Sequence, residues 1–230
     1  MANRKFITNL FDSIAPAYDN LNHILSLNID KIWRRRAVQT IRKSRHKYIL
    51  DVACGTGDFS LALASTGGFV TGIDLSEGML QIGRKKVAKS KFSSKITMIQ
   101  GDCEHLPFED GSFDVVGVAF GVRNFENLRD CICEIRRVLD PRGRLVILEL
   151  STPDNKFVAT IYKIYFRHIL PTIGGIISGD KAAYQYLNKS VELFPKEQEI
   201  LSLLRDCGFA AARHKSFTQG LCRMYVANKG

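Results

Sequence analysis

Three aspartates of the chain stand at or near the ends of short apolar runs, and a glycine pair lies between the first two. Asp51 lies near the end of the first apolar run, shortly before Gly55 and Gly57. Asp74 ends the second apolar run, and Asp102 follows the third. Glycines permit positive φ angles and let backbone N–H groups approach a ligand closely. Carboxylates beside such a loop attract a cation or accept hydrogen bonds from ribose hydroxyls. These residues are therefore our candidate ligand site.

The apolar runs alternate with helical patterns from Tyr48 onward, which is typical of a parallel sheet covered by helices on both faces. In such an open sheet, ligands bind at the carboxyl edge of the strands, so the three aspartates are expected to converge there. We predict a doubly wound, Rossmann-like α/β fold. Its first five strands are expected at 48–52, 69–74, 96–100, 113–119 and 144–150, with helices near 59–65, 78–89 and 127–139.

The rest of the chain departs from this alternation. Residues 1–47 have the pattern of amphipathic helices, and residues 156–190 form an apolar, aromatic insertion after the fifth strand. A helix near 196–207 and strands at 213–217 and 222–226 are expected beyond the insertion. The sequence thus predicts a single domain, 1–230. Its parts are a helical cap at 1–47, a donor-binding core at 48–155, an acceptor or lid insertion at 156–190, and a C-terminal helix with strands at 191–230.

The charges favour S-adenosylmethionine over a nicotinamide dinucleotide as the ligand. Asp74 follows Asp51 by 23 residues, near the offset at which an acidic residue meets ribose hydroxyls. The dinucleotide glycine pattern is incomplete, because position 60 is Ser. Asp51 would lie beside a pyrophosphate in that case, whereas a sulfonium with an α-ammonium favours a carboxylate there. Asp102 is placed to meet the base.

Composition and charge limit the function classes. The chain has 230 residues, 45% of them hydrophobic and 24% charged, which excludes a disordered or fibrous protein. Much of the formal net charge of +10 lies in residues 1–47, which contain ten Lys and Arg but only three Asp. Such a basic surface fits nucleic acid, an anionic membrane face, or solubility alone. The N-terminus lacks the apolar stretch of a secretory signal and no run could span a bilayer, so we expect a cytoplasmic protein.

The six cysteines have no disulfide-framework or zinc-ligand spacing. We expect reduced, mostly buried thiols, as in a reducing cytosol. Neither a metal-ligand cluster nor a Ser-His-Asp or Cys-His grouping is visible, so the sequence predicts no metal and no covalent catalysis.

Several further motifs occur together in one order along nearly the whole chain. With them, the chain resembles the ubiquinone/menaquinone biosynthesis C-methyltransferase family, the UbiE type, within the class I S-adenosylmethionine-dependent methyltransferases. The matching segments are 11–19 (FDSIAPAYD), 33–35 (WRR), 120–124 (FGVRN), 137–139 (RVL), 142–149 (RGRLVILE) with Ser151 and Pro153, and 184–190 (YQYLNKS) running to Phe194-Pro195.

The resemblance implies that the donor is held around Thr56, Asp74, Asp102 and Cys103, and that a methyl group is transferred to a ring carbon of a polyprenyl quinol. The acceptor is expected to be demethylmenaquinol. A 2-methoxy-6-polyprenyl-benzoquinol of ubiquinone biosynthesis stays open as the alternative. Three positions differ from the family pattern: Ala119 replaces a frequent Ser, Asn28 a frequent Gly, and Tyr225 a frequent His.

Arg123, Asn124 and Tyr18 are the candidate catalytic residues. Arg123 and Asn124 follow the fourth strand and are expected to face the acceptor, where a guanidinium would stabilise a phenolate. Arg123 could instead form only a salt bridge. Tyr18, in the cap, could close the pocket, relay a proton or simply pack. The base that removes the acceptor's proton is not identified by the sequence.

The insertion has the composition of a segment that lies at a membrane interface, with large apolar side chains among Lys163, Arg167 and His168. We expect reversible docking through residues 156–178, helped by the basic cap, because a polyprenyl quinol partitions into lipid. A lid or a homodimer contact remains an alternative for this segment. Nucleic-acid methylation is disfavoured because Phe120-Gly-Val-Arg-Asn124 stands where a base-pocket motif is expected. A binding module without activity is disfavoured by the complete donor loop.

Overall fold

A computed structural model describes residues 4–42, 46–164 and 181–230. Within these residues, seven strands form one sheet in the order β3-β2-β1-β4-β5-β7-β6. The first five strands run parallel, and β7 lies antiparallel between β5 and β6. The strands are β1 (Tyr48–Val52), β2 (Phe69–Asp74), β3 (Ile96–Gln100), β4 (Phe113–Ala119), β5 (Leu139–Leu150), β6 (Ala211–Phe217) and β7 (Cys222–Asn228).

Nine α-helices flank this sheet in the described part of the chain. They are α1 (Arg4–Ile14), α2 (Tyr18–Leu25), α3 (Ile29–Arg42), α4 (Asp58–Ala64), α5 (Glu77–Ala88), α6 (Leu128–Val138), α7 (Lys156–Ile164), α8 (Lys181–Leu193) and α9 (Glu197–Asp206). None of the described helices is long and apolar enough to cross a membrane. Residues 165–180, which hold much of the predicted docking segment, lie outside the described residues.

The sheet is covered on both faces, as expected for a doubly wound fold. Strand residues alternate between two apolar layers: Leu50 packs with α6 and α9, while its neighbour Ile49 packs with α3, α4 and α5. Helix α6 shows why the sequence folds this way. Its buried residues recur at three- and four-residue intervals, which places them on one face: Leu128, Cys131, Ile132, Ile135 and Val138.

The predicted bounds of the first four strands are confirmed, and the fifth is corrected. Strand β5 begins at Leu139, where the sequence predicts the end of a helix, and α6 ends one residue earlier. The predicted turn at Asp140–Gly143 is present as an irregularity inside the strand, because Phe113 pairs with Leu139 while Val115 already pairs with Arg144. The Arg142 backbone N–H donates to Asp140 Oδ1 at 2.8 Å and closes this turn.

The expectation that every cysteine is a free thiol is wrong. Cys103, in the loop after β3, is paired with Cys131 of α6 in a disulfide, and their Cα atoms are 5.1 Å apart. Cys131 faces the sheet because it lies on the buried side of α6. The two positions are 28 residues apart in sequence, so only the packing of α6 against the sheet brings them together.

Candidate functional site

A cavity of about 810 Å³, including its open mouth, lies at the carboxyl ends of β1, β2, β3 and β4. Six of the predicted site residues line it: Tyr18, Gly55, Asp74, Asp102, Cys103 and Asn124. The other four predicted site residues, Asp51, Thr56, Gly57 and Arg123, are not among the lining residues. They lie behind the wall of the cavity.

The loop after β1 is held in shape by Asp74. The Gly55 backbone N–H donates to Asp74 Oδ2 at 2.7 Å, and the Ser76 backbone N–H donates to Oδ1 at 2.9 Å. Gly55 and Gly57 both have positive φ angles, 53° and 81°, which glycine adopts without a steric penalty. Burial raises the pKa of the Asp74 carboxyl, and these N–H donors oppose the rise. Asp74 therefore supports the loop and also presents a carboxylate to the cavity.

Asp51 lies beneath the loop and is 1% exposed. Ser60, the residue that breaks the dinucleotide glycine pattern, donates its hydroxyl to Asp51 Oδ2 at 2.5 Å. The other oxygen, Oδ1, has no hydrogen-bond partner among the described residues. Burial raises the pKa of the Asp51 carboxyl to about 7. When ionised, Asp51 adds to the negative potential that the Asp74 carboxylate creates at the cavity, which fits a cationic ligand such as a sulfonium.

The far end of the cavity is closed by α1. Arg4 of this helix forms ion pairs with Asp102 at 2.5 Å and with Glu104 at 2.8 Å. At the other end of α1, Asp12 Oδ1 accepts hydrogen bonds from the Ser76 hydroxyl at 2.5 Å and from the Gly78 N–H at 3.0 Å. Helix α1 is thus held across the cavity by ion pairs at one end and by hydrogen bonds at the other. Sequence reasoning missed Arg4, and Asp12 was seen only as part of a motif.

The side chains of two further residues predicted to hold the donor, Cys103 and Thr56, are engaged by other partners. The Cys103 sulfur is in the disulfide, so its backbone is what remains for a ligand. Thr56 is 2% exposed and donates its hydroxyl to Asp19 Oδ1 at 2.5 Å. Asp19 also pairs with Lys86 at 2.6 Å, which ties α2 to α5 over the loop.

Arg123 forms a buried ion pair. Its Nη1 donates to Glu149 Oε1 at 2.6 Å and to the Phe120 carbonyl at 2.6 Å, and its backbone N–H donates to Glu149 Oε2 at 3.1 Å. The Glu149 side chain is completely buried. Arg123 is therefore positioned by β5, and its charge is balanced by a carboxylate that sequence reasoning did not assign to the site. A charged residue inside the apolar run 145–150 was the available signal.

Tyr18 and Asn124 reach the cavity itself. Burial raises the pKa of the Tyr18 hydroxyl, and the nearby charge of Arg123 opposes the rise. The Asn124 side-chain oxygen accepts a hydrogen bond from the Tyr186 hydroxyl at 3.0 Å. This side of the cavity therefore presents a phenol and an amide, and the guanidinium of Arg123 lies close enough to the phenol to act on it electrostatically. In the described residues no group of His, Cys, Asp or Glu is arranged to hold a metal ion.

A family model described as the ubiE/COQ5 methyltransferase family matches residues 1–229. The chain belongs to this family. A demethylmenaquinone methyltransferase of Bacteroides fragilis is 42% identical over 225 residues, which is 97% of this chain and 92% of the relative. A ubiquinone/menaquinone biosynthesis C-methyltransferase UbiE of Geobacter sulfurreducens is 44% identical over 227 residues, covering 97% and 88% of the two chains.

Solved structures confirm the predicted fold class of this ubiE/COQ5 family member. A SAM-dependent methyltransferase of Thermotoga maritima superposes with a TM-score of 0.70 over 97% of this chain and 99% of that chain, at 18% identity. A phosphoethanolamine-type N-methyltransferase of Haemonchus contortus, solved with S-adenosylhomocysteine, gives a TM-score of 0.62 at 16% identity, over 84% of this chain and 52% of that one. At these identities the likeness shows the fold alone.

The three departures from the family pattern fall at different distances from the cavity. Ala119 lines it, at the end of β4. Asn28 has a φ angle of 60°, a left-handed conformation that glycine favours and asparagine tolerates, so the replacement keeps the turn before α3. Tyr225 is 1% exposed in the core of the sheet and is not among the residues that line the cavity.

Proposed function

We propose that this chain is an S-adenosylmethionine-dependent C-methyltransferase that converts demethylmenaquinol to menaquinol. The observation that carries the proposal is the match over nearly the whole chain to relatives named demethylmenaquinone methyltransferase. C-methylation of a benzoquinol precursor of ubiquinone is the second candidate, because other relatives of equal similarity carry both quinones in their names.

The residues present fit the proposed methyl donor. Asp51 and Asp74 supply the negative potential that its positive charge needs, and Asp74 and Asp102 offer oxygens at the cavity wall for its hydroxyls and base. The backbone of Gly55 and Cys103 completes the proposed donor set. The donor supplies an activated methyl group when it is bound.

The chemistry requires a carbon nucleophile. Loss of a proton from one quinol hydroxyl raises the electron density on the adjacent ring carbon. A bond then forms between this carbon and the methyl carbon while the bond from sulfur to the methyl carbon breaks. The ring carbon loses its hydrogen as a proton and the oxygen regains one, so one proton is released overall. We assign to Asn124 and Tyr18 contact with the acceptor, and to Arg123 a stabilising effect on its ionised oxygen from behind the wall.

Methyl transfer from labelled donor to short-chain quinols tests the proposal. We expect label in the reduced desmethyl naphthoquinol and a loss of transfer in Asp74→Ala, with Asp130→Asn as a control for removing an exposed carboxylate on α6. Label in the benzoquinol alone would select the second candidate. No label in either quinol, with the donor bound, would reject quinol methylation. Quinone profiles of a strain that lacks the protein provide the cellular counterpart.

We further propose that the protein docks on an anionic membrane face, where a polyprenyl quinol resides. The described part of the predicted docking segment exposes Phe157 by 74% and Ile164 by 54%. The outer face of α3 adds cations beside a 52% exposed Ile32. The exposed residues of that face are Lys31, Ile32, Arg35, Arg36, Gln39 and Arg42.

Helix α3 and the start of α7 are linked through the turn at Thr218 and Gln219. Trp33 of α3 donates its indole N–H to the Thr218 hydroxyl at 3.1 Å, and Gln219 accepts a hydrogen bond from the Asp154 N–H at 3.3 Å, directly before α7. Trp33 also packs against Phe120, which lines the cavity, with ring centroids 6.3 Å apart. Through its buried Trp33, helix α3, which carries part of the proposed docking surface, therefore contacts the wall of the cavity that the acceptor must enter.

Vesicle flotation distinguishes docking from the lid or dimer alternative. We expect binding to anionic vesicles at low salt, and a loss of about 30-fold in the Arg35→Gln, Arg36→Gln variant, since each cation near the surface adds about 1 kcal/mol. Lys85→Gln with Lys89→Gln removes the same charge from the exposed end of α5 and the residue that follows it, and serves as the matched control. Equal binding by both variants would exclude α3 from the surface, and no binding by the folded wild type would exclude docking.

A further inference from the structure

The Asn124 amide is held by a residue that is not among those lining the cavity. Asn124 ends a short 3₁₀ turn (Val122–Asn124) after β4 and lines the cavity. Its Oδ1 accepts a hydrogen bond from the Tyr186 hydroxyl at 3.0 Å. A primary amide has one acceptor oxygen and two N–H donors. With its oxygen bound to the phenol, the amide is oriented so that its nitrogen is the atom offered to a ligand.

Tyr186 is fixed by elements that are distant in sequence. It lies on α8, and its ring packs edge-on against Phe6 of α1, with centroids 5.8 Å apart and an interplanar angle of 67°. The ring also packs against an apolar cluster formed by the cap and α5, whose buried members are Leu10, Ile14, Ala15 and Met79. The hydroxyl is therefore held in place by packing on two sides, which is what a group that orients another side chain requires.

The protonation state of Tyr186 agrees with this direction of the hydrogen bond. Burial raises the pKa of the Tyr186 hydroxyl, and the nearby charge of Arg123 only partly opposes the rise. The phenol therefore keeps its proton at neutral pH and can donate it to the amide oxygen. The charge of Arg123 also lowers the pKa of the Tyr18 and Tyr162 hydroxyls, against the effect of burial. The three phenols and this guanidinium therefore form one cluster around the turn that carries Asn124.

We propose that Tyr186 is a positioning residue for methyl transfer, because it orients the Asn124 amide so that an amide N–H donates to the acceptor oxygen on which negative charge develops. The inference rests on the proposed function and adds a residue that neither the donor site nor the predicted catalytic set contains. A donor held in the correct orientation before reaction stabilises developing charge without the cost of reorganisation.

A double-mutant cycle tests whether Tyr186 acts through Asn124. Tyr186→Phe keeps the ring and its packing but removes the hydroxyl. We expect kcat to fall about 10-fold, less than the roughly 10²-fold or larger loss typical when an oxyanion donor is itself removed. Donor affinity should change less than about twofold. In an Asn124→Ala background, Tyr186→Phe should have almost no further effect. Multiplicative losses in the double variant would overturn the inference.

The pH dependence of kcat separates positioning from a structural role. If the ionised oxygen loses a donor, the apparent pKa of the acceptor in the complex rises, and a 10-fold loss corresponds to a shift of about one unit. We therefore expect the profile of Tyr186→Phe to move to higher pH. A uniformly lower profile with the same midpoint would reject the inference.

Two controls complete the design. Tyr48→Phe removes a phenol hydroxyl from a 46% exposed residue at the start of β1, at the end of the strand away from the cavity, and should leave the profile unchanged. If Tyr186→Phe fails to fold, a second variant tests the same role. Asn124→Asp replaces the N–H donors by a carboxylate of the same shape and should lose more activity than Asn124→Ala. An equal or smaller loss would contradict the role of the N–H.

The outcomes separate this inference from the proposed function. Wild-type inactivity on every quinol rejects the proposed function, whereas wild-type turnover with independent effects of Tyr186 and Asn124 rejects this inference only.

Discussion

Binding of the methyl donor should tighten as the pH rises through the neutral range, and Asp51 is the expected cause. Asp51 is 1% exposed, and burial raises the pKa of its carboxyl to about 7, although the Ser60 hydroxyl opposes the rise. A cation stabilises the carboxylate, so the donor binds the form that has lost this proton. For a pKa of about 7, the ionised fraction rises about 25-fold between about pH 5.5 and about pH 7.5. The apparent affinity should rise by up to this factor.

The same titration affects the stability of the donor-free protein in the opposite direction. The pKa of Asp51 in the folded state is raised, so its contribution to stability is fully present below the ordinary value of 3.8 and is lost as the pH rises through about 7. Each unit of pKa shift corresponds to about 1.4 kcal/mol, so ionisation of Asp51 costs on the order of 4 kcal/mol at about pH 8. Asp51→Asn should therefore raise the free energy of unfolding at that pH while weakening donor binding.

Calorimetric titration at constant ionic strength, in buffers of different ionisation enthalpy, measures both the affinity and the number of protons released. Asp51→Asn should abolish the pH dependence, and Asp130→Asn should retain it, because Asp130 is an exposed carboxylate on α6. The α-amino group of the donor, with an ordinary pKa of about 7.7–8.0, is already partly deprotonated at the top of this pH range, so the Asp51→Asn curve is subtracted to correct for it. A wild-type affinity that does not change with pH, or an equal slope in Asp51→Asn, would refute the reasoning.

Three further predictions follow from the contacts around the cavity. Asp74→Ala should weaken donor binding by about 1.5–3 kcal/mol, the scale of a hydrogen bond to a charged group, and unchanged affinity by calorimetry would remove Asp74 from the site. Arg123→Ala leaves the buried Glu149 unpaired, so it should lower the free energy of unfolding by about 3–5 kcal/mol in urea, and a loss below about 1 kcal/mol would show that the pair is not buried as described. Arg4→Ala releases α1 from Asp102, and stopped-flow dissociation of the donor should become up to about fivefold faster; an unchanged rate at low salt would show that this ion pair does not hold the cap closed.

The sequence determined the parallel core of the fold and the ends of its strands. Short apolar runs bounded by turn residues give a strong local signal, so β1 to β4 begin and end where the pattern predicts. The same reasoning placed Asp74 and Asp102 at the carboxyl edge of the sheet. In a parallel sheet every strand ends at that edge, so a residue that ends or closely follows a strand lies there. The bounds of β5 were less predictable, since the turn at Asp140–Gly143 lies inside a strand that tolerates an irregularity in its pairing.

The tertiary structure alone decided which side chains meet at the cavity and which lie behind it. Glu149 neutralises Arg123 across 26 residues of sequence, Tyr186 reaches Asn124 across 62, and Cys103 bonds Cys131 across 28. None of these pairs has a periodic signature, because each is formed by the packing of one element on another. The sequence could therefore name the carboxylates that a cationic donor needs. The burial of Asp51 and Arg123, however, follows only from how the helices cover the sheet. This burial sets the charges of the two side chains and their access to a ligand.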